Sequence, residues 1–215
     1  MEPITIVCVQ TEEVQERLAA LGVSQEALCG AVSRGYLAFA NCTENHPRMF
    51  PAIAAWAETV AAVRENLAPL GWTRSELKNY SRAIDAAGRV AIAVAAGNEE
   101  TGHAEGSPST KTAKGARTVE AVVINQAQLL LFEDPAPAAE AAEGLDERVT
   151  WLLLMHRARN EVRCELSLPV AIGPDMRVSQ WRERIILGSV SLDGEPEEIR
   201  LPELSDIDVE VRRRL

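Results

Sequence analysis

Apolar residues recur at two different periods along the chain, and the change of period divides it. From Thr11 to Leu67 the spacing is helical: Val14, Leu18 and Leu21, then Leu28, Val32 and Phe39, then Ile53, Trp56, Val60, Val63 and Leu67. Thr11 and Ser24 sit where N-caps belong, Glu12 and Glu13 favour the positive end of the first helix, and Gly22 closes it. Asn45-His46-Pro47 breaks the second helix, and Pro51 suits the first turn of a third, which stops at Pro69 and Gly71. On the second helix Ala31, Gly35 and Ala38 make a stripe of small residues that lets another backbone come close. Residues 4–9 are a short β-branched run and read as a strand.

From Tyr80 onward the period becomes two. Residues 80–85, the turn Ala86-Ala87-Gly88 and residues 89–96 read as a β-hairpin. Val90, Ile92 and Val94 alternate with Ala91, Ala93 and Ala95, a pattern that predicts a strand covered on both faces. Residues 118–124 read as a third strand, so residues 1–132 form an α+β domain with helices packed on a small antiparallel sheet. Residues 133–147 are rich in proline, alanine and acid and read as a linker. Beyond it, residues 149–155, the strictly alternating Val162, Cys164, Leu166, Leu168 and Val170, residues 184–192, 199–201 and 207–211 all read as strands. The expectation for residues 148–215 is a small all-β domain, sandwich or barrel-like, whose alternating strand keeps one wet face at Arg163, Glu165, Ser167 and Pro169.

Between the two strands at 90–96 and 118–124 lies an unusually long polar loop, residues 97–117. Loops of that length without their own structure usually carry function or are disordered. Its second half holds Ser109, Thr110, Lys111, Thr112, Lys114 and Arg117 with no acid, a mixture of hydroxyls, cations and backbone N–H groups that suits phosphate or nucleic acid. No Walker-type loop can be written through it. Its first half, with Glu99, Glu100 and His103, is the place where a hydrolase or metal site would have to be sought, but a glycine-flanked loop offers metal ligands no fixed direction, and no metal or cofactor is expected.

Gln128-Leu129-Leu130-Leu131-Phe132 resembles the Gln-Leu-x-Leu-Phe peptide by which bacterial replication and repair proteins grip the sliding clamp. In that family an extended segment lays Leu and Phe into an apolar cleft while Gln anchors one end. The resemblance implies a partner-binding peptide made of Gln128, Leu129, Leu131 and Phe132, with Leu130 standing where the family has a small or acidic residue. The turn Leu21-Gly22-Val23-Ser24 is similar to that of a helix-turn-helix, yet its second helix offers a groove only one cation, Arg34.

Composition narrows these readings. A net charge of −10 and a pI near 4.9 argue against broad nucleic-acid binding, leave room for a local basic patch, and fit an acidic protein that meets a basic partner or mimics nucleic acid, although such a charge more often only keeps a protein soluble. Cys8, Cys29, Cys42 and Cys164 have no zinc-like spacing and read as reduced thiols; Cys42 with His46 is a thiol–base pair lacking a third, orienting group. No secretory signal or membrane span is visible, which predicts a cytoplasmic protein. The expected function is a non-catalytic binding or adaptor protein of bacterial nucleic-acid metabolism; the alternatives are an acidic mimic and a hydrolase built on the region from Glu99 to His103.

Overall fold

The computed structural model describes residues 5–133 and 148–191. Among them are four helices and one mixed, open sheet of seven strands. The strands are β1 (Ile6–Cys8), β2 (Thr73–Ser75), β3 (Arg82–Ile84), β4 (Val90–Ala96), β5 (Val149–Arg157), β6 (Glu161–Ile172) and β7 (Val178–Ser191). They lie in the order β1-β7-β6-β5-β4-β3-β2. The β1/β7 and β4/β5 pairs are parallel and the rest antiparallel. The helices are α1 (Thr11–Ala20), α2 (Gln25–Ala40), α3 (Phe50–Leu67) and α4 (Ala116–Glu133). No helix among the described residues is long and apolar enough to cross a membrane.

The period-two pattern of β5 shows how the layers form. Trp151 and Leu153 join Leu18, Leu28, Val63 and Leu67 in one core, while Leu152 and Leu154 join Ala93, Ala95 and Val122 in another. Helices α1–α3 thus cover one face and α4 covers the other. The expected alanine face of β4 is real: Ala91, Ala93 and Ala95 are all buried. The small-residue stripe of α2 also does what its composition suggests. A Cβ on Gly35 would stand 2.0 Å from Thr59 Oγ1, so only glycine lets α3 lie this close. Ser24 caps α2 by accepting from the Ala27 N–H. Thr11, by contrast, is the first helical residue of α1, and the N-cap position belongs to Gln10.

Three expectations are corrected. Residues 118–124 are not a strand but part of α4; their buried members Thr118, Ala121 and Val122, with Asn125, repeat at helical spacing, and tertiary packing overrides the β-branched composition. The strands from 149 to 191 do not make a separate sandwich. β5 pairs in parallel with β4, a geometry that needs a crossover connection, and α4 supplies it. The supposed wet face of β6 is buried as well, with Glu165 and Ser167 wholly inaccessible. Residues 134–147 of the expected linker and the strands expected at 199–201 and 207–211 lie outside the described residues.

What covers that polar face is the loop at 97–115, and it is held by charge rather than by apolar anchors. Arg184 of β7 pairs with Glu165 of β6 through Nε (3.2 Å to Oε1) and Nη2 (2.6 Å to Oε2). Its other donors reach loop carbonyls: His103 at 2.9 Å, Gly106 at 2.7 Å and Ala104 at 3.5 Å. Glu165 in turn accepts from the Gly102 N–H (2.9 Å) and the Ser167 hydroxyl (2.9 Å). All five guanidinium donors and both carboxylate oxygens are occupied, the condition under which a buried ion pair is tolerated. Gly102 has φ +80°, and a Cβ there would stand 2.8 Å from Arg163 Cβ. Arg163 holds the same loop through the Glu99 carbonyl (2.6 Å) and the His103 ring, and Trp181 Nε1 donates to the Pro108 carbonyl (2.8 Å).

Breaking this pair from one side leaves a charge buried without its partner. Arg184→Met and Glu165→Gln are each expected to cost about 3–5 kcal/mol, read as a lowered urea midpoint. Glu165→Leu/Arg184→Leu, which removes both charges, should cost clearly less than the two single losses combined. Strictly additive losses would show that the two side chains do not act as a unit.

Candidate ligand-binding site

The predicted phosphate set is not one site. Thr110 is buried; its hydroxyl accepts from the Val178 N–H (3.1 Å) and donates to the Thr112 carbonyl (3.2 Å). The Ser109 N–H is taken by Asn98 Oδ1 at 3.0 Å. Thr112 is exposed. Backbone bonds from Lys111 to the Ala96 carbonyl (2.8 Å) and from Lys114 to the Met176 carbonyl (2.7 Å) tie the loop down on either side. Burial pushes the Lys114 ammonium below the ordinary lysine range. Lys111 and Arg117 then line two different cavities.

The cavity at Arg117 is lined by the greater number of cations. It has a volume of about 200 Å³ and draws on four parts of the chain. Lys78 comes from the short 3₁₀ turn Leu77–Asn79, Arg82 from β3, Arg117 and Glu120 from the first turns of α4, and Arg148 from the approach to β5. Four cations line the cavity together with the Glu120 carboxylate, in a chain whose net charge is −10. Glu120 bridges Arg117 (2.7 Å) and Lys78 (3.6 Å), and the Arg117 hydrogen bond foremost holds its carboxyl below the usual carboxylate range. Arg82 is 4% exposed, with its guanidinium 5.1 Å from the centre of the Tyr80 ring. Lys78 and Asn79 both hold left-handed backbone, φ 57° and 59°, a conformation that costs non-glycine residues energy and is kept where the surroundings impose it. Here Glu76 imposes it. Its carbonyl accepts from the Asn79 N–H (3.0 Å), and its carboxylate takes the Ser81 hydroxyl (2.8 Å) and Arg64 (2.7 Å).

Other predicted residues are engaged elsewhere. The Cys42 thiol donates to the Ala38 carbonyl (3.3 Å), while the His46 ring accepts from the Thr43 N–H (2.9 Å) and stacks on Phe50, so the two form no thiol–base pair. The Glu99 and His103 carbonyls serve Arg163 and Arg184, and no cluster of three metal-ligating side chains exists among the described residues. Arg34, the one cation of the helix-turn-helix reading, is paired with Glu58 and Glu65. Gln128, Leu129, Leu131 and Phe132 fall in the last turns of α4, with the side chains from Leu129 onward outside the described residues.

Sequence reasoning found Arg117 but missed Lys78, Arg82 and Arg148, which are scattered over 70 residues (78 to 148) and share no motif. Comparison of the chain with protein-family models, curated proteins and solved structures finds no match.

Asn125 fixes the helix that carries Arg117 and Glu120. Its amide donates to the Thr150 carbonyl (2.9 Å) and the Pro169 carbonyl (3.0 Å), and its oxygen accepts from the Thr150 N–H (2.9 Å). Asn125→Leu strands three buried backbone groups and should lower stability by about 2–4 kcal/mol in chemical denaturation. A loss below about 0.5 kcal/mol would mean that α4 is placed by its apolar contacts and not by this amide.

Proposed function

We propose that the chain is a non-catalytic binding protein that takes a phosphate-bearing ligand, a nucleotide or the phosphate of a single nucleic-acid strand, in the cavity lined by Lys78, Arg82, Arg117 and Arg148. The observation that carries this reading is the convergence of four cations from four separate elements on one small opening. Arginine presents paired N–H donors that match phosphate oxygens, and three of the four cations are arginine. A long duplex is a poor fit, because the net charge of −10 repels an extended polyanion while a single phosphate meets only the cations at the opening. Gripping a sliding clamp through residues 128–132 would require the end of α4 to unwind into a strand, so the cationic cavity is the better supported contact.

The test compares a 5′-phosphorylated short single strand with the same strand lacking the phosphate, by fluorescence anisotropy at low salt, with adenosine monophosphate as competitor. The phosphorylated strand should bind more tightly and be displaced by the nucleotide. Arg117→Ala, at an exposed position, should weaken it by about tenfold without unfolding the chain. Equal binding of the two strands, or an unchanged affinity in Arg117→Ala, would contradict the reading.

A further inference from the structure

A second cavity, of about 210 Å³, opens on the opposite face of the sheet, where α2 and α3 pack, and its chemistry is different. It sits where β4 and β5, the parallel neighbours, both end: Ala96 and Gly97 on one strand, His156 and Arg157 on the other. The carboxyl ends of parallel strands are where open α/β sheets place their ligands, because the chain diverges there into its crossover and leaves a crevice. Val32, Ala55 and Met155 form an apolar floor, and Tyr36 and Phe39 an aromatic side.

The rim carries the cations Lys111 and Arg157 beside His156, and no Asp or Glu among the described residues lines the cavity. Among the described residues neither Lys111 nor Arg157 has a carboxylate partner. The Arg157 guanidinium lies 4.2 Å from the centre of the Phe39 ring, a stacking that positions the cation and leaves its in-plane donors usable. His156 Nδ1 faces the Gly97 carbonyl at 3.3 Å and, since a carbonyl only accepts, donates to it, which fixes the ring. Lys111 is held at the rim by its own backbone bond to Ala96.

An apolar, aromatic-walled pocket with cations confined to its mouth selects a ligand of matching polarity. We infer that this cavity binds a small amphipathic anion, a monocarboxylate on a compact aromatic or short aliphatic body, with the body against Phe39 and Met155 and the carboxylate between Lys111 and Arg157. It is independent of the phosphate cavity, which is lined by different residues.

Titration of the full chain with benzoate and with hexanoate, followed by amide chemical shifts, reads this directly. Both acids should give saturable shifts centred on Gly97, Lys111 and Arg157, whereas benzyl alcohol and hexanol, the uncharged counterparts, should bind at least about tenfold more weakly. Lys111→Ala/Arg157→Ala should weaken the acids by a similar factor. Ala52→Phe, at an exposed position on the cavity wall, should block acids and alcohols alike while leaving the circular dichroism spectrum unchanged. Equal affinity for acid and alcohol, shifts centred elsewhere, or no saturable shift with either acid would each overturn the assignment.

Discussion

A buried guanidinium with every donor occupied is the constraint on which the rest of the molecule depends. Arg184 and Glu165 sit inside the sheet face at 3% and 0% side-chain exposure, where an isolated charge would cost several kcal/mol. Their mutual pairing uses only part of their hydrogen-bonding capacity. The remainder is met by three loop carbonyls for the guanidinium, and by the Gly102 N–H and the Ser167 hydroxyl for the carboxylate. A loop with no large apolar side chain thereby acquires a fixed place, because leaving would strand both charges at once.

The loop in turn sets the geometry of both candidate sites. It departs from the carboxyl end of β4, folds over Glu165 and Arg184, bonds back to Ala96 and Val178, and delivers the chain to Gly115, where α4 begins. Lys111 therefore arrives at the cavity above the β4 and β5 ends, and Arg117 at the cationic cavity beside β3. Asn125 completes the fixation of α4 by bonding to β5 and β6. The two cavities differ in what surrounds their cations: in the first Glu120 bridges Lys78 and Arg117, while in the second Lys111 and Arg157 border aromatic and aliphatic walls.

Much of the helical layer was legible in the chain. Ser24, Gly22, Pro51 and the stripes of α1–α3 place those helices to within a residue or two except at the end of α2, which stops at Ala40, ahead of the break expected at Asn45-His46-Pro47, and the alternation around Gly88 places the β3/β4 hairpin. The α4 face was hidden because two of the four buried residues described on it, Thr118 and Asn125, are polar and serve as core only through partners distant in sequence. The β6 face was misread for the same reason: Glu165 and Ser167 look solvent-facing until Arg184, 19 residues on, and the loop more than 60 residues earlier close over them. Lys111 and Arg117 were singled out by composition, but their assignment to separate cavities depends on a crossover that no local pattern encodes.

Native-state amide hydrogen exchange across the loop tests the anchoring most directly. The Gly102, Thr110 and Lys111 amides, bonded to Glu165, Val178 and Ala96, should be protected to a degree comparable with the β4 and β5 ladders. In Arg184→Met the loop amides should lose protection by at least about tenfold more than those of β4 and β5. Unprotected exchange of these three amides in the native chain, or equal protection in the variant, would contradict the claim that the buried pair holds the loop.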